Sequence, residues 1–493
     1  MIKLNEEINE ILDIGYAIST EPYYKKLFEL TVNACGKFTG ADAGQFYIAH
    51  STHLQYMAGF NRTLDGNNIK YSIPETSIDL NAHDMITYTA AHREILRIDD
   101  IYLEKRFEIL KLKEFDAIYN YRTCSMMMIP VLNQDNKVLG VMVLTNCTDD
   151  TGKIIPFSED YEKLCSSLTS QMAIAITNMN QLQEMDDLLK SFVECVVLAI
   201  DERTPYNGKH SRNVAKYCDQ IITEINTRHT YGQFRYFISP EDRDQLIMAA
   251  NLHDIGKMVT PREVLNKATR LGNRYEQVRY KLEKISLMMK IDKLEGRMDP
   301  VEWAMADLRL SNFLAELEGL NVRSRLTDSE IERVNDMAKR SYTTIEGQVI
   351  HYLDEDERKA LSIAKGTLTD EERKIVMQHV EFTEKLLREI NFTKKYDRVK
   401  EIASNHHEFL DGSGYPNHYT AEKIDVLTRI LTIIDIYDSL TADDRPYKGT
   451  ISVHEAVKIL DSMADEGKLD KELERLVHEV MWKQEYGESR ILG

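Results

Sequence analysis

The hydrophobic pattern of this chain changes period once, near residue 158, and the change separates two structural classes. Before it, short segments rich in β-branched and aromatic residues are bounded by Asn, Asp and Gly, which is typical of strands. After it, apolar residues recur at helical spacing almost to the end. Glycine (22) and proline (10) are scarce among the 493 residues, at about half of ordinary usage. We therefore expect a multidomain chain, α+β first and then all-α; at ~150 residues per domain the length predicts two to four domains.

The first part is expected to be an α+β module of roughly 140 residues around an antiparallel sheet. Residues 1–40 have a helical pattern, and two further short helices are expected at 84–96 and 100–112. The predicted strands are residues 45–49, 54–60, 125–132 and 137–146.

A long helix is predicted to begin after Ser158, because Glu159, Asp160 and Glu162 favour a helix N-terminus. Its apolar residues follow alternating three- and four-residue steps, interrupted at Asp186. Over residues 161–200 this stripe favours a parallel coiled-coil connector in a homodimer. The alternative is a single apolar face packed on the chain's own domain. The residues of the stripe are Leu168, Met172, Ala175, Met179, Leu182, Leu189, Val193 and Val196.

Composition excludes several classes of function. The chain has 62 Lys and Arg against 81 Asp and Glu, a net charge of −19, which disfavours DNA, RNA or an acidic membrane as the main partner. The six cysteines form no CxxC pair, as expected in a reducing compartment. The start lacks the pattern of an export signal, and no apolar run approaches ~18 residues. A cytoplasmic protein is expected.

Histidines and aspartates recur in short motifs on separate predicted helices of the second part. Left unpartnered in apolar surroundings, such groups would cost several kcal/mol, so a shared metal centre explains them jointly. Adjacent side chains on a helix diverge by about 100°, which lets His-Asp and His-His pairs serve two ions. Imidazole with carboxylate and no thiolate favours Fe or Mn, and two ions ~3.5–4 Å apart suit phosphoester hydrolysis. The residues are His210, His253, Asp254, His379, His406, His407 and Asp435.

Lys257 lies one turn after Asp254 in the segment HDIGK. From this position its ammonium group is expected to meet a non-bridging phosphate oxygen. Asp254 and Lys257 are therefore the predicted catalytic pair.

The motifs HDIGK, HHEFLDGSGYP and DIYDSLTADDRPYK together resemble the HD-GYP family of metal-dependent phosphohydrolases. The resemblance covers about 201–267 and 367–450 within a domain spanning 201–493, and leaves 268–366 as a helical insertion. It implies that the seven His and Asp residues named above are metal ligands. It also implies a substrate pocket shaped by the GYP loop and by basic residues that hold the second phosphate and the base. The implied substrate-binding residues are Lys257, Asp411, Gly414, Tyr415, Pro416, Arg445 and Lys448.

Family members hydrolyse cyclic di-GMP to a linear dinucleotide, some continue to GMP, and a few prefer cyclic GMP-AMP. Where some members carry a Glu that helps to hold a third metal, this chain has Tyr206, so two divalent ions are predicted. After GYP the chain reads NHYTAEKIDVL, which departs from a stretch ending in Ile-Pro that many members show.

The first part resembles a GAF domain through TGADAGQFYIA, YRTCSMMMIPV and KVLGVMVLTN. We place this sensor domain at 18–160, after an N-terminal helix at 1–17. GAF domains bind small molecules or dimerise, and the ligand here is unknown. Cys124 is interpreted as an ordinary strand cysteine, and His83 and His92 as surface or pocket residues.

Three functions remain open from the sequence. The first is a two-metal cyclic-dinucleotide phosphodiesterase tuned by the GAF domain. The second is a receptor or scaffold that binds the nucleotide, or a partner such as a nucleotide cyclase, without turnover. The third is an HD hydrolase acting on mononucleotides, which the intact DGSGYP loop argues against.

Overall fold

A computed structural model describes residues 2–73, 76–81, 84–203, 209–344, 346–442 and 451–487. The chain divides into two compact units, Met1–Leu188 and Leu189–Gly493. Within the described ranges, no helix has both the length and the apolar character that a bilayer span requires.

The first unit is an antiparallel sheet with helices. The sheet has the strand order β3-β2-β1-β6-β5-β4, and β7 pairs with β6. The strands are β1 (Ala41–Ala49), β2 (His53–Asn61), β3 (Ser77–Asp79), β4 (Leu96–Ile98), β5 (Met126–Leu132), β6 (Val138–Thr148) and β7 (Ile154–Ile155). The helices are α1 (Ile2–Thr20), α2 (Tyr24–Thr39), α3 (Arg62–Gly66), α4 (Met85–His92), α5 (Leu110–Tyr119) and the start of α6 (Glu159–Arg203).

Both faces of this sheet are covered, because successive side chains of a strand point to opposite sides. In β5, Met127 and Ile129 join a core with α2 and α6, whereas Met126 and Met128 join a second core on the other face. The antiparallel α+β fold and its four main strands are thus confirmed as β1, β2, β5 and β6.

The two short helices of this unit differ from the prediction. The helix predicted at 84–96 ends at His92, because Arg93 takes a left-handed φ of 59°, and Leu96–Ile98 then pair with β5. The helix predicted at 100–112 is wrong in position: a short 3-10 helix occupies Ile101–Leu103, and α5 begins only at Leu110. The Asp100 side chain accepts from the backbone N–H of Tyr102 and starts this isolated turn.

The long helix α6 begins after Ser158, as predicted, and runs for 45 residues. At its start, Leu168 and Met172 are buried in the core of the first unit, and near its end Val193 is buried in the core of the second. Both ends of the apolar stripe are therefore used within the chain, since the same spacing that builds a coiled coil also packs a helix on its own domain. Leu182, between them, is 67% exposed. An intermolecular seam along the whole stripe is not supported.

The second unit is almost entirely helical. Its main core is built from the end of α6 and from helices at both ends of the unit. Its helices are α7 (His210–Thr230), α8 (Pro240–Leu252), α9 (Arg262–Leu265), α10 (Arg274–Leu294), α11 (Pro300–Asn321), α12 (Asp328–Ala338), α13 (Glu355–Leu361), α14 (Asp370–Met377), α15 (His379–Arg388), α16 (Val399–Ser404), α17 (Val426–Thr441), α18 (Val453–Asp465) and α19 (Lys471–Tyr486).

The segment predicted as an insertion has a hydrophobic core of its own, which includes Leu282, Phe313 and Leu361. Besides helices α10 to α13 it contains a small β-hairpin of β8 (Ser341–Thr343) and β9 (Val349–His351). Its two ends meet: the hydroxyl of Thr367 donates to the carbonyl oxygen of Lys267 at 3.0 Å. The segment therefore leaves and re-enters the domain at one place.

Candidate metal centre

Helix ends bring six of the seven predicted ligands together, and the seventh lies within a helix. His210 opens α7, and His379 opens α15. His253 and Asp254 follow α8 and precede a 3-10 helix (Ile255–Met258). The pair His406 and His407 follows α16, and Asp435 lies within α17. All are buried except His407, whose side chain is 24% exposed.

His210, His253 and Asp254 form one cluster, in which one ligand atom of each lies within 4.8 Å of the others. The two imidazole Nε2 atoms are 3.3 Å apart. Oδ1 of Asp435 lies 3.0 Å from Nε2 of His210 and 3.7 Å from that of His253. Together with Asp435, this cluster has two imidazoles and two carboxylates.

His379, His406 and His407 form a second cluster of the same size. The two carboxylates connect it to the first. Asp254 places Oδ2 3.3 Å from Nε2 of His253 and Oδ1 3.4 Å from Nε2 of His379. Asp435, in turn, directs Oδ2 to within 3.8 Å of Nδ1 of His407. Each carboxylate therefore faces both clusters, from where it is able to bind a cation in either.

Backbone contacts fix three of the imidazole rings. Nδ1 of His253, His379 and His406 lies 2.6–2.7 Å from the carbonyl oxygen of the residue three positions earlier. The Nδ1–H group donates to that carbonyl, so Nε2 is the ring nitrogen that is left facing the centre. His210 is held in another way, since its Nδ1 lies 2.7 Å from Oδ2 of Asp438.

Three polar atoms of the centre are buried without a hydrogen-bond partner: Oδ1 of Asp254, Nε2 of His379 and Nε2 of His406. An unsatisfied buried polar group costs about 1–3 kcal/mol. These atoms are good ligands for a divalent ion, and two belong to the second cluster while the third points towards it. The donor set therefore fits a metal.

The protonation of the centre follows from burial and charge. Burial lowers the pKa of His406 far below its usual value and lowers the pKa of His407 to about 3, so both rings are neutral ligands. Burial opposes protonation of His253 too, but Asp254 and Asp435 raise its pKa to about 10. For Asp254 itself, burial is outweighed by Lys257 and His253, which hold the pKa of the carboxyl well below its usual range.

The predicted substrate-binding residues occupy different positions. Nζ of Lys257 donates to Oδ2 of Asp254, at the margin of the first cluster. The Tyr415 ring packs against the His407 ring with centroids 4.8 Å apart, and Pro416 follows it through a cis peptide bond. Asp411, in contrast, is exposed and accepts from the backbone and hydroxyl of Ser413. The structure therefore places Asp411 in a turn.

Gly414 lies where the GYP loop crosses the chain after His407. A Cβ here would lie 2.5 Å from the carbonyl oxygen of His407 and 2.4 Å from the backbone nitrogen of Phe409. Glycine is therefore required for this close approach. Tyr206, Arg445 and Lys448 lie outside the described residues.

Sequence reasoning missed the residues that support the ligands. Asp438 follows Asp435 by three positions on α17, a spacing that places both on one side of a helix and was visible in DIYDSL. Glu408 accepts from the backbone N–H groups of Asn417 and Tyr419 at 2.6 and 3.0 Å and so holds the loop after GYP. The Thr383 hydroxyl on α15 donates to the carbonyl oxygen of His253 at 2.9 Å, and no local sequence pattern indicates this contact because it depends on how α15 packs.

The first unit contains a separate cavity of about 500 Å³ beside its sheet. Aromatic rings form much of its wall, namely those of Tyr47, Phe60, Tyr71, Phe115 and Tyr121. His92 is exposed, and its ring stacks on Tyr88. Cys124 is half-buried, and its backbone N–H donates a hydrogen bond to Oδ1 of Asn146. His83 lies outside the described residues.

Comparison with protein families assigns both units. The GAF domain family matches residues 24–176. Two HD domain families match residues 207–359 and 356–473.

Curated relatives match part of the chain. The 3'3'-cGAMP-specific phosphodiesterase 3 of Vibrio cholerae is 23% identical over 290 residues, which cover 58% of this chain and 39% of that protein. A cyclic di-GMP phosphodiesterase of Pseudomonas aeruginosa is 34% identical over 93 residues, covering 19% of this chain and 22% of that one. The chain thus spans two fifths or less of the length of these relatives.

Among solved structures, the GAF domain of an Acinetobacter phosphoenolpyruvate-protein phosphotransferase is 18% identical, with a TM-score of 0.28. The match covers 36% of this chain and 98% of that one.

Proposed function

Because the chain is an HD-GYP protein with an N-terminal GAF domain, we propose that it is a metal-dependent phosphodiesterase that hydrolyses cyclic di-GMP. The product is the linear dinucleotide, and hydrolysis of its remaining phosphodiester would give GMP. The observation that carries the proposal is the pair of histidine clusters joined by Asp254 and Asp435. Two clusters that share two carboxylates suit two cations better than one.

The proposed cofactor is a pair of Fe or Mn ions. His210 and His253 would hold one ion, and His379, His406 and His407 the other, with Asp254 and Asp435 shared between them. When bound, the metal pair supplies Lewis-acid activation of a water nucleophile and neutralises charge on the scissile phosphate.

Three side chains near the clusters would orient the metal ligands and the substrate. Lys257 keeps Asp254 ionised and oriented, and its ammonium group is available to a non-bridging phosphate oxygen at the margin of the cluster. Asp438 holds the His210 ring so that Nε2 faces the centre. The Tyr415 ring, packed on His407, forms an apolar wall on which a purine can stack.

A second candidate substrate is cyclic GMP-AMP. Its support is that the relative named for this activity aligns over 58% of the chain, against 19% for the cyclic di-GMP phosphodiesterase. The ratio of kcat/KM for the two cyclic dinucleotides separates the candidates.

Regulation by the GAF domain is part of the proposal. The cavity of the first unit suits a small planar ligand, because five aromatic side chains contribute to its wall. Helix α6 is continuous from the core that contains Leu168 to the core that contains Val193, which gives a covalent route for a signal. The proposed homodimer would use the exposed part of α6 around Leu182, Met185 and Leu188. A cytoplasmic location agrees with six unpaired cysteines.

The test is turnover by the purified full chain loaded with Mn²⁺ or Fe²⁺. We expect a linear dinucleotide from cyclic di-GMP, and no product from Asp254→Ala. The matched control is Asp336→Ala, which should retain full activity. Asp336 is an exposed aspartate on α12 that pairs with Lys339. Tight nucleotide binding by the wild type without product under either metal would favour the receptor function instead.

A further inference from the structure

Three side chains with metal-ligand chemistry meet between the last two helices, and none belongs to the centre described above. Asp461 lies on α18, and Glu474 and His478 lie four residues apart on α19, which places them on one face of that helix. One ligand atom of each lies within 4.8 Å of the others. Nδ1 of His478 is 3.3 Å from Oδ1 of Asp461.

Glu474 is the unusual member of the group. Its side chain is 98% buried, since the residue is only 2% exposed, and its Oε1 has no hydrogen-bond partner. Burial and the adjacent Asp461 carboxylate raise the pKa of Glu474 to about 8, while Arg475 lowers it by less. Lys471, three residues earlier on α19, pairs with Asp465 at 3.0 Å. A buried carboxylate with a free oxygen beside a second carboxylate is a site that attracts a cation.

The geometry fits a small divalent ion. Bonds of about 2.0–2.2 Å from the ion to imidazole and carboxylate ligands place neighbouring ligand atoms roughly 3–3.6 Å apart. The ligand atoms of the cluster, which lie within 4.8 Å of one another, would have to approach to this spacing through side-chain rotation. One imidazole and two carboxylates leave a fourth position for water, as Zn²⁺ accepts.

We propose that Asp461, Glu474 and His478 form a second divalent-cation site, which ties α18 to α19. Both helices pack in the core that contains α17, through Leu460 on α18 and Leu473 on α19. Because α17 carries Asp435, the cation would stabilise two helices, α18 and α19, that pack in the same core as this part of the first metal centre. The site is independent of the proposed catalysis, because it shares no ligand with that centre.

The protein contains its own reporter for this site. It has two tryptophans, and the ring of Trp482 lies 5.8 Å from that of His478 and 5.3 Å from that of His454. In a Trp303→Phe background, Trp482 is the single tryptophan. Co²⁺, a paramagnetic substitute for Zn²⁺, should quench its fluorescence on binding to His478. Adding Asp254→Ala weakens binding at the first centre, so that the signal reports the second.

We expect saturable quenching by Co²⁺ in the Trp303→Phe, Asp254→Ala full chain, reversed by excess Zn²⁺. Adding His478→Gln or Asp461→Asn should weaken the apparent affinity at least tenfold, since each removes a ligand. His454→Gln is the matched control, because it removes the other imidazole beside Trp482, and it should leave the affinity unchanged.

Elemental analysis after gel filtration provides a second measurement. Addition of His478→Gln to Asp254→Ala should lower bound Zn²⁺ by one ion per chain, whereas addition of His454→Gln should not. Quenching that does not saturate, equal affinity with and without His478, or an unchanged zinc content would each overturn the proposal. Asp461→Asn keeps the test valid if replacement of buried Glu474 prevents folding, because the Asp461 side chain is 42% exposed.

Discussion

The imidazole of His210 is held between Asp435 and Asp438, two carboxylates from the same helix. Its Nε2 lies 3.0 Å from Oδ1 of Asp435, and its Nδ1 lies 2.7 Å from Oδ2 of Asp438, 228 residues away in the sequence. The three-residue spacing on α17 places one carboxylate on each side of the ring. One helix thus provides both a candidate ligand and the group that orients a neighbouring ligand.

Asp438→Asn should weaken the metal centre without removing a ligand. The carboxamide cannot orient and polarise the His210 ring as a carboxylate does, and loss of such a partner costs about 10–100-fold in metal affinity or activity. Metal retained after dialysis against a graded chelator, together with kcat at saturating metal, measures the effect. Asp438→Glu should recover part of the loss, and equal metal affinity in wild type and Asp438→Asn would contradict the assignment.

Thr383→Val should destabilise the turn that carries His253 and Asp254. The Thr383 hydroxyl donates to the carbonyl oxygen of His253 at 2.9 Å and accepts from the backbone N–H of Gly256 at 3.0 Å. Valine leaves both buried backbone groups unsatisfied, which should lower the free energy of unfolding by about 1–3 kcal/mol. Urea denaturation checks this. Thr383→Ser keeps the hydroxyl and should lose much less; equal losses for the two variants would assign the effect to packing.

Lys257→Ala should lower kcat more than it raises KM. Removal of one positioned donor from developing charge on a phosphate typically costs 10²–10³ in kcat, and here Asp254 would also lose its partner. Steady-state kinetics at saturating Mn²⁺ measure both constants. Lys257→Arg should recover part of kcat. A change confined to the metal requirement would show that Lys257 acts only through Asp254.

Glu408→Ala should loosen the loop that follows Tyr415 and Pro416. The buried carboxylate accepts from two backbone N–H groups of this loop, those of Asn417 and Tyr419. We expect KM for the cyclic dinucleotide to rise about tenfold or more, because each lost hydrogen bond to a charged group is worth about 1.5–3 kcal/mol. Asp411→Ala, in the exposed turn of the same loop, should change KM less. The reverse order would assign substrate binding to Asp411.

Leu182→Asp with Met185→Asp tests the homodimer. Both side chains are more than half exposed on α6, so charges there should not unfold the monomer but would disrupt a packed interface. Sedimentation velocity should show the loss of a dimer. An unchanged sedimentation coefficient would remove this part of α6 as the interface.

Local signals were sufficient to predict the sheet and to single out the histidines and aspartates that the structure brings together, but not the residues that orient those side chains. The alternation in β5 and β6 and the adjacent pairs His253–Asp254 and His406–His407 can be read within a few residues. The role of Asp438 could be identified only from its position relative to Asp435 on α17. The role of Thr383 could be identified only from the packing of α15 against the turn that carries His253 and Asp254. The spacing of the apolar stripe on α6 fits both a second copy of the chain and the chain's own domain cores. Periodicity therefore identified the apolar face but not what covers it.

The contact between Thr367 and Lys267 means that the intervening segment behaves as a cassette. Its hydrophobic core is self-contained, and the two residues at which the chain enters and leaves it are in contact. A short flexible linker in place of the whole segment should therefore leave the rest of the helical domain continuous. Sequence change within the cassette is thereby decoupled from the geometry of the seven candidate ligands, so that evolution can alter one without disturbing the other.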